Sequence, residues 1–406
     1  MRERCPVARS SAHGGFYVVT RYDDIRAVLL DNKTFVCGRD LDLAGSGTLV
    51  SGGVTIPTNP FRMGMMEMDG TEAQQYRRLV LPWLSARAVE EHRPRLVEIV
   101  TWLIDRVAPL GHMDVVSDLA NPLPALVTLD ILGLPLDRWE DYARILHGAV
   151  YRQRGSVRDL AGLMGDLKQT VQARRATVTE PQSAFDALLC GRVDGRSLTD
   201  DEVVEMVFML LNGGVDTSTS VIAHLLLHLD THPEQRHELA ADPTLVSTFV
   251  DDLIRWVTPG TGVARTVVRE VVVAGTTLHP GDRVLLGLGA GDNDPEVYAD
   301  PDEVITGGRR PPHLAFGLGA HRCVGSFLAP AEIGVLAEEV IRRLPDYRVV
   351  HSGVVAYPSV PLVSGYLEMP ATFTPAPVEG SIDPAGLPPR RDLAAAARLS
   401  PGTTAS

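Results

Sequence analysis

The chain has 406 residues, with 38 Lys+Arg against 51 Asp+Glu, a formal net charge of −13, 45% hydrophobic and 22% charged residues. Such a composition is that of a globular protein, and the length allows a large core. The acidic total argues against whole-surface attraction to nucleic acid or anionic lipid, leaving only local basic patches for negatively charged partners.

In chain order, Phe16-Tyr17-Val18-Val19 and the helical recurrence of Ile25, Val28 and Leu29 predict a strand and a helix within 15–35. From Cys37 to Met68 periodicity stops. This Gly-, Thr- and Pro-rich stretch ends in Phe61-Arg62-Met63-Gly64-Met65-Met66-Glu67-Met68, which reads either as an adaptable methionine-bearing lid or as filler for gaps in the core. Helices are predicted at 72–81, 86–108, 118–132, 137–150 and 157–178, broken at Pro82, Pro109-Leu110-Gly111 and Gly133-Leu134-Pro135. Thr199 followed by Glu202 is a capping-box signature, and it opens the longest predicted helix, 199–229. Glu205, Asn212 and Asp216 interrupt its apolar run, so a core helix is expected rather than a membrane span. A helix at 244–256, strands at Val267–Val273 and Val284–Leu288, and a helix at 326–344 follow. The fold class is therefore mainly α with a small β region. Residues 1–373 read as one domain, and the Pro/Ala/Gly-rich tail 374–406 is expected to be poorly ordered.

Four cysteines, Cys5, Cys37, Cys190 and Cys323, lie far apart with no paired CxxC spacing. That favours a reducing compartment over a disulfide framework, and too few ligands stand together in sequence for structural zinc. No apolar run follows the basic N-terminus, so neither a secretory signal nor a membrane anchor is read, and a cytoplasmic protein is expected. The run Gly287-Leu288-Gly289-Ala290-Gly291 is discounted as a dinucleotide loop, because Asp292-Asn293-Asp294-Pro295 stands where its helix should begin.

The most informative stretch is Phe316-Gly317-Leu318-Gly319-Ala320-His321-Arg322-Cys323-Val324-Gly325, just before the helix predicted from Ser326. A thiol at a helix N-terminus, flanked by His321 and Arg322, is expected to favour its thiolate, a good axial ligand for haem iron. The glycines allow a tight turn and close approach of a flat ligand. Within the long helix, Gly213-Gly214-Val215-Asp216-Thr217-Ser218 puts two helix-weakening glycines before an acid and a hydroxyl. The Thr217 hydroxyl can bond the carbonyl four residues back and open a groove, while acid beside hydroxyl offers a proton relay.

These two segments resemble the cytochrome P450 family's haem signature, F-x-x-G-x-[HR]-x-C-x-G, and its oxygen-activation motif, [AG]-G-x-[DE]-T-[TS]. The resemblance covers roughly residues 15–373 and implies a single-domain P450-like fold. It implies haem b (iron protoporphyrin IX) ligated by Cys323, with Phe316, Gly317, Val324, Gly325, Gly213 and Gly214 close to the cofactor and Asp216 and Thr217 managing protons. Arg77, Arg265 and His321 would hold the propionates, with His313 as a further candidate. Positions Met65, Met66, Phe208, Leu211, Val263 and Leu362 would contact an apolar small-molecule substrate.

The implied reaction is a bacterial monooxygenase's, hydroxylating or epoxidising a secondary metabolite with dioxygen. Electrons would come from a ferredoxin and ferredoxin reductase, docking by charge at Arg77, Arg78, Arg87 and Arg322, and the protein would be a monomer. Oxidative coupling or cyclisation without oxygen insertion, and a haem sensor without turnover, are the alternatives; the Asp216/Thr217 pair favours insertion. Three departures from the family pattern stand out. Ala73 replaces a propionate-binding histidine. Asp252 replaces the glutamate of Glu-x-x-Arg, which puts its pairing with Arg309 or Arg310 in doubt. Pro330 falls inside the predicted helix, where it should cost stability or cause a kink.

Overall fold

The computed structural model describes residue 2 and residues 5–43, 50–150, 153–358, 363–380 and 387. Helices run in chain order as α1 (Tyr22–Leu30), α2 (Gly70–Leu84), α3 (Ala86–Val107), α4 (Pro122–Leu132), α5 (Trp139–Val150), α6 (Ser156–Arg175), α7 (Ala184–Cys190), α8 (Asp200–Thr231), α9 (Pro233–Ala241), α10 (Val246–Val257), α11 (Leu288–Asp292) and α12 (Leu328–Arg343). The expected mainly α fold is observed.

Helix α8 forms the axis of the larger core and packs against α4, α5, α6 and α12. Its start is the predicted capping box: Thr199 Oγ1 accepts from the Glu202 amide at 3.2 Å, and Glu202 accepts from the Thr199 amide at 2.7 Å. Glu202 also accepts from Tyr76 Oη at 2.8 Å, which ties α2 to the same corner. Val203, Val207, Leu211, Val215, Ile222 and Leu229 are fully or almost fully buried, so the apolarity that would suit a membrane is spent on the core.

A second, smaller core lies under a five-stranded sheet whose order is Val7–Ser10, Phe16–Val19, Arg283–Leu286, Val263–Val267 and Phe35–Val36. Only the pairing of Phe16–Val19 with Arg283–Leu286 is parallel. The single strand predicted over Val267–Val273 is in fact two. Val263–Val267 joins this sheet, while Val271–Val273 turns back in a separate hairpin with Thr276–Leu278. The β-prone valines hid the break at Val268-Arg269-Glu270.

The predicted helix 118–132 likewise divides. A wide turn over Val116–Ala120 precedes Pro122, whose missing N–H costs nothing at the start of α4. Helix α2 carries Pro82 inside it and ends at Leu84, where Ser85 Oγ caps α3 by accepting from the Ala88 amide at 3.2 Å.

The described parts of the 37–68 segment, 37–43 and 50–68, are tied down rather than loose. The Arg39 guanidinium donates to the carbonyls of Asn59 and Phe61 at 2.6 and 2.9 Å, and Glu67 accepts from the amides of Met63 and Val54 at 3.0 and 3.3 Å. Met63 and Met65 are buried in the main core, Met65 donating its amide to Met206 Sδ at 3.4 Å, so these two fill gaps between the segment and α8.

The expectation of a loose tail from Thr374 fails for its first residues. Phe373 and Ala376 pair with the carbonyls of Gly111 and Ala108 at 2.9 Å, and the amides of Glu379 and Gly380 donate to Asp105 at 3.0 and 2.8 Å. Asp105 is also paired with Arg343, and both are buried. A buried ion pair needs its remaining lone pairs satisfied, and the tail supplies those donors.

Candidate active site

The cysteine loop is a turn closed by its own backbone: the Cys323 amide donates to the Phe316 carbonyl at 2.8 Å and the Gly317 amide to Leu314 at 2.7 Å. Gly317 and Gly319 have φ of 63° and 70°, the left-handed region that side chains resist. A Cβ on Gly319 would also come within 3.1 Å of the Leu29 carbonyl oxygen. Helix α12 is regular from Leu328, but the Ala329 amide already donates to the Gly325 carbonyl at 3.0 Å and the Gly325 amide is directed at the Cys323 sulfur, so the thiol stands just ahead of the helix start. The Cys323 side chain is accessible yet closely surrounded by protein atoms; that desolvation raises its pKa, while the Gly325 amide, Arg77 and Arg322 favour the thiolate.

Cations surround this sulfur. Arg77 donates to the Arg322 carbonyl and lies close enough to interact with Cys323. Arg265, on the strand Val263–Val267, is buried and close enough to His321 to disfavour its charge. Burial lowers the His321 pKa, but hydrogen bonds to Asp69 and Cys37 outweigh it and hold the imidazole up at about 9. Ligating atoms of Cys37, Asp69 and His321 lie within 4.8 Å of one another, a grouping that distance in sequence concealed. It is one ligand short of a tetrahedral zinc site, and Asp69 is already engaged by the amides of Cys37 and Gly38 at 3.0 and 2.7 Å. His313 is not brought to this group: its Nε2 faces Asp251 at 3.3 Å and its ring packs on Phe316.

On α8, Thr217 Oγ1 donates to the Gly213 carbonyl at 2.9 Å, the bond expected from the sequence. Gly213 is exposed and Thr217 half-buried amid buried neighbours, and a Cβ on Gly213 would meet nothing within 4 Å. Helix α8 runs unbroken through this point, and the two glycines do not interrupt it; it leaves this face uncovered. Gly214 instead faces α4, where a Cβ would fall 2.6 Å from Thr128 Oγ1. Asp216 is buried and bonded to Nδ1 of His147 on α5, so the acid and the hydroxyl have different partners.

Two polar residues escaped the sequence reading. One is His147. The other is Glu332 on α12, buried and hydrogen-bonded to Ser218; burial pushes its carboxyl up to about 8, with Ser218 opposing. An acid among Ala331, Ile333, Gly334 and Val335 was the available signal.

The Asp252 departure is absorbed. Arg255 is paired with Asp252 and donates to the carbonyls of Asp292, Pro301 and Glu303 at 3.0, 2.9 and 2.7 Å. Arg310, rather than Arg309, closes the cluster by donating from Nε to Asp252 Oδ2 at 3.1 Å. Pro330 is likewise harmless, being the third residue of α12, where no intrahelical partner awaits its N–H.

Among the substrate candidates, Met65, Phe208 and Leu211 are buried in the main core, with the Phe208 ring edge-on to Phe61 at 6.0 Å. Met66 and Val263 are half-buried, and Leu362 lies outside the described residues.

Residues 134–345 match the family model described as Cytochrome P450. The chain belongs to the cytochrome P450 family. Relatives of this P450 include a mycinamicin IV hydroxylase/epoxidase from Micromonospora griseorubida, 31% identical over 389 residues that span 92% of this chain and 94% of that one. A cyclomarin C epoxidase from Salinispora arenicola is 32% identical, with 90% and 92% coverage. Among solved structures, a mutant of the P450 EryK in complex with erythromycin B superposes with a TM-score of 0.81 at 25% identity, covering 94% of this chain and 96% of that one. A Mycobacterium marinum cytochrome P450 in complex with pseudoionone reaches 0.82 at 26% identity, covering 92% of both chains.

The family implies a haem cofactor, and the residues present fit one. The Cys323 sulfur is free and accessible, the backbone beside it is glycine, a Cβ on Gly325 would stand 3.7 Å from Sγ, and the face of α8 at Gly213 is uncovered. Arg77 and Arg265 add guanidinium groups of the kind that bind carboxylates. This P450 is thus an oxidoreductase that takes dioxygen, a small molecule and electrons from a redox partner.

Proposed function

We propose that the chain is a bacterial, cytoplasmic, monomeric monooxygenase, its catalytic unit one domain over residues 1–373, that hydroxylates or epoxidises an apolar secondary metabolite. Haem b, bound through Cys323, supplies the reductive activation of dioxygen, with one oxygen atom entering the substrate and the other leaving as water. Arg77, Arg265 and His321 would hold the propionates, the guanidinium groups being suited to carboxylates. Thr217 and Asp216 deliver protons at the uncovered face of α8. Met66 and Val263, half-buried beside the apolar core, are the substrate contacts best supported by their exposure.

Ferredoxin, with ferredoxin reductase behind it, is the electron donor. Arg322 is exposed within the Cys323 loop, Arg78 is exposed on α2 next to Arg77, and Arg87 is exposed but paired with Glu91 at 2.8 Å, a small basic set on an acidic protein. Electron transfer should therefore slow as salt rises.

The observation that carries the reading is the free sulfur of Cys323 on a backbone-closed glycine turn. The test is the reduced carbon monoxide spectrum of haem-loaded protein, followed by a screen of apolar compounds for spin-state shifts and for products with ferredoxin and its reductase. A thiolate-type band that Cys323→His abolishes supports the reading. A histidine-type band in the unaltered protein overturns it.

A further inference from the structure

Helix α5 carries a histidine that the reaction as described leaves unexplained. His147 is buried, its Nδ1 is bonded to Oδ1 of Asp216, and its Nε2 has no hydrogen-bond partner among the described residues. Asp216 Oδ2 is equally unpartnered. Leaving two buried polar atoms unsatisfied is costly, so the arrangement calls for a reason. An arginine in place of His147 could offer Asp216 a permanent fork of donors, whereas an imidazole gives and takes protons near neutrality through two separate nitrogens.

Resting on the monooxygenase reading, we propose that His147 relays protons to Asp216, so that α5 forms the inner end of a proton path to the uncovered face of α8. The transfer balances without any co-reactant beyond water-borne protons. A proton adds at Nε2, the Nδ1 proton passes to Asp216 Oδ1, and the neutral acid gives it up on the Thr217 side. The imidazole, left with its proton on Nε2, returns to the Nδ1–H form by exchange. His147 touches no substrate and acts through Asp216, so it is a positioning and relay residue.

Charged groups on the other elements around α5 are engaged elsewhere. Asp130 of α4 pairs with His92 and Arg95, and Arg138, just before α5, with Asp141 and Asp166. On α6, Lys168, Arg174 and Arg175 pair with Asp201, Asp186 and Asp200, while Arg158 and Asp159 are exposed. Asp216 is the acid that meets His147.

The test uses the haem-loaded enzyme and compares wild type, His147→Gln, Asp216→Asn and the double variant. Glutamine keeps a donor for Asp216 but cannot relay. His147→Gln should lower product formed per electron consumed about tenfold and enlarge the solvent isotope effect, while the substrate-induced spin shift stays unchanged. Added to Asp216→Asn it should do nothing further. A second readout needs no turnover: nitrogen NMR of the diamagnetic reduced carbon monoxide form should find the proton on Nδ1, exchanging rapidly with water through protonation at Nε2. Wild-type coupling in His147→Gln, a multiplicative loss in the double variant, or an Nδ1 proton protected from exchange for hours would each overturn the proposal. Failure of the monooxygenase reading is distinct, since the wild type itself would then give no product.

Discussion

The Asp252–Arg255–Arg310 cluster and the His147–Asp216 pair lie at similar depth, yet one is finished and the other is not. Every polar side-chain atom of the first finds a partner among the described residues; the second leaves Nε2 and Oδ2 bare. The first cluster ties α10 to the loops that run from Asp292 through Glu303 to Arg310, and Arg255 lies over the Tyr298 ring at 5.1 Å. Nothing in it can move without stranding a charge. Incompleteness in the second leaves room for proton traffic.

Asp252→Ala should show the largest effect, because it strands two guanidinium groups: a loss of about 3–5 kcal/mol on denaturant unfolding, with little haem-loaded protein recovered. A stability close to wild type would mean that the carbonyl contacts alone hold Arg255. Glu332 is an intermediate case, with one partner for a buried carboxyl. Its native value of about 8 lies above its unfolded one, so the folded state keeps a proton that the unfolded chain releases. Stability should therefore fall as pH rises from near 4.5 through about 8, and Glu332→Gln should remove that slope, a difference on the order of 3 kcal/mol between pH 5 and pH 8. Parallel unfolding curves for the two proteins at both pH values would refute the assignment.

Replacing the unfinished pair as a whole should cost little. His147→Leu/Asp216→Leu is expected to stay within about 1 kcal/mol of wild type, since apolar residues often replace a buried ion pair without loss, while coupling collapses. A large loss of stability here would erase the contrast between the two sites. Pro330→Ala should change stability by less than about 0.5 kcal/mol, because the ring occupies a first-turn position; thermal unfolding measures it and sets the scale of a silent substitution.

The cysteine loop and the Asp252–Arg255 pair were legible because local chemistry marks them, whereas the closure by Arg310 was not. Glycine appears where φ must be positive, and acid and arginine stand three residues apart on one helix. The α8 capping box was legible for the same reason. What sequence could not show was closure over distance: His147 meets Asp216 across 69 residues, and Arg343 meets Asp105 across 238. Helices α7 and α9, short and weakly patterned, went unread because tertiary packing rather than propensity holds them.

The amides that Glu379 and Gly380 lend to Asp105 bear on where the chain can be cut. Trimming at 373, the boundary that composition suggests, would strip a buried carboxylate of two donors and uncover the end of α12. Leu387, itself buried in the main core, would be lost by a cut just beyond Gly380, so an electron-transfer partner attached by fusion belongs after that leucine.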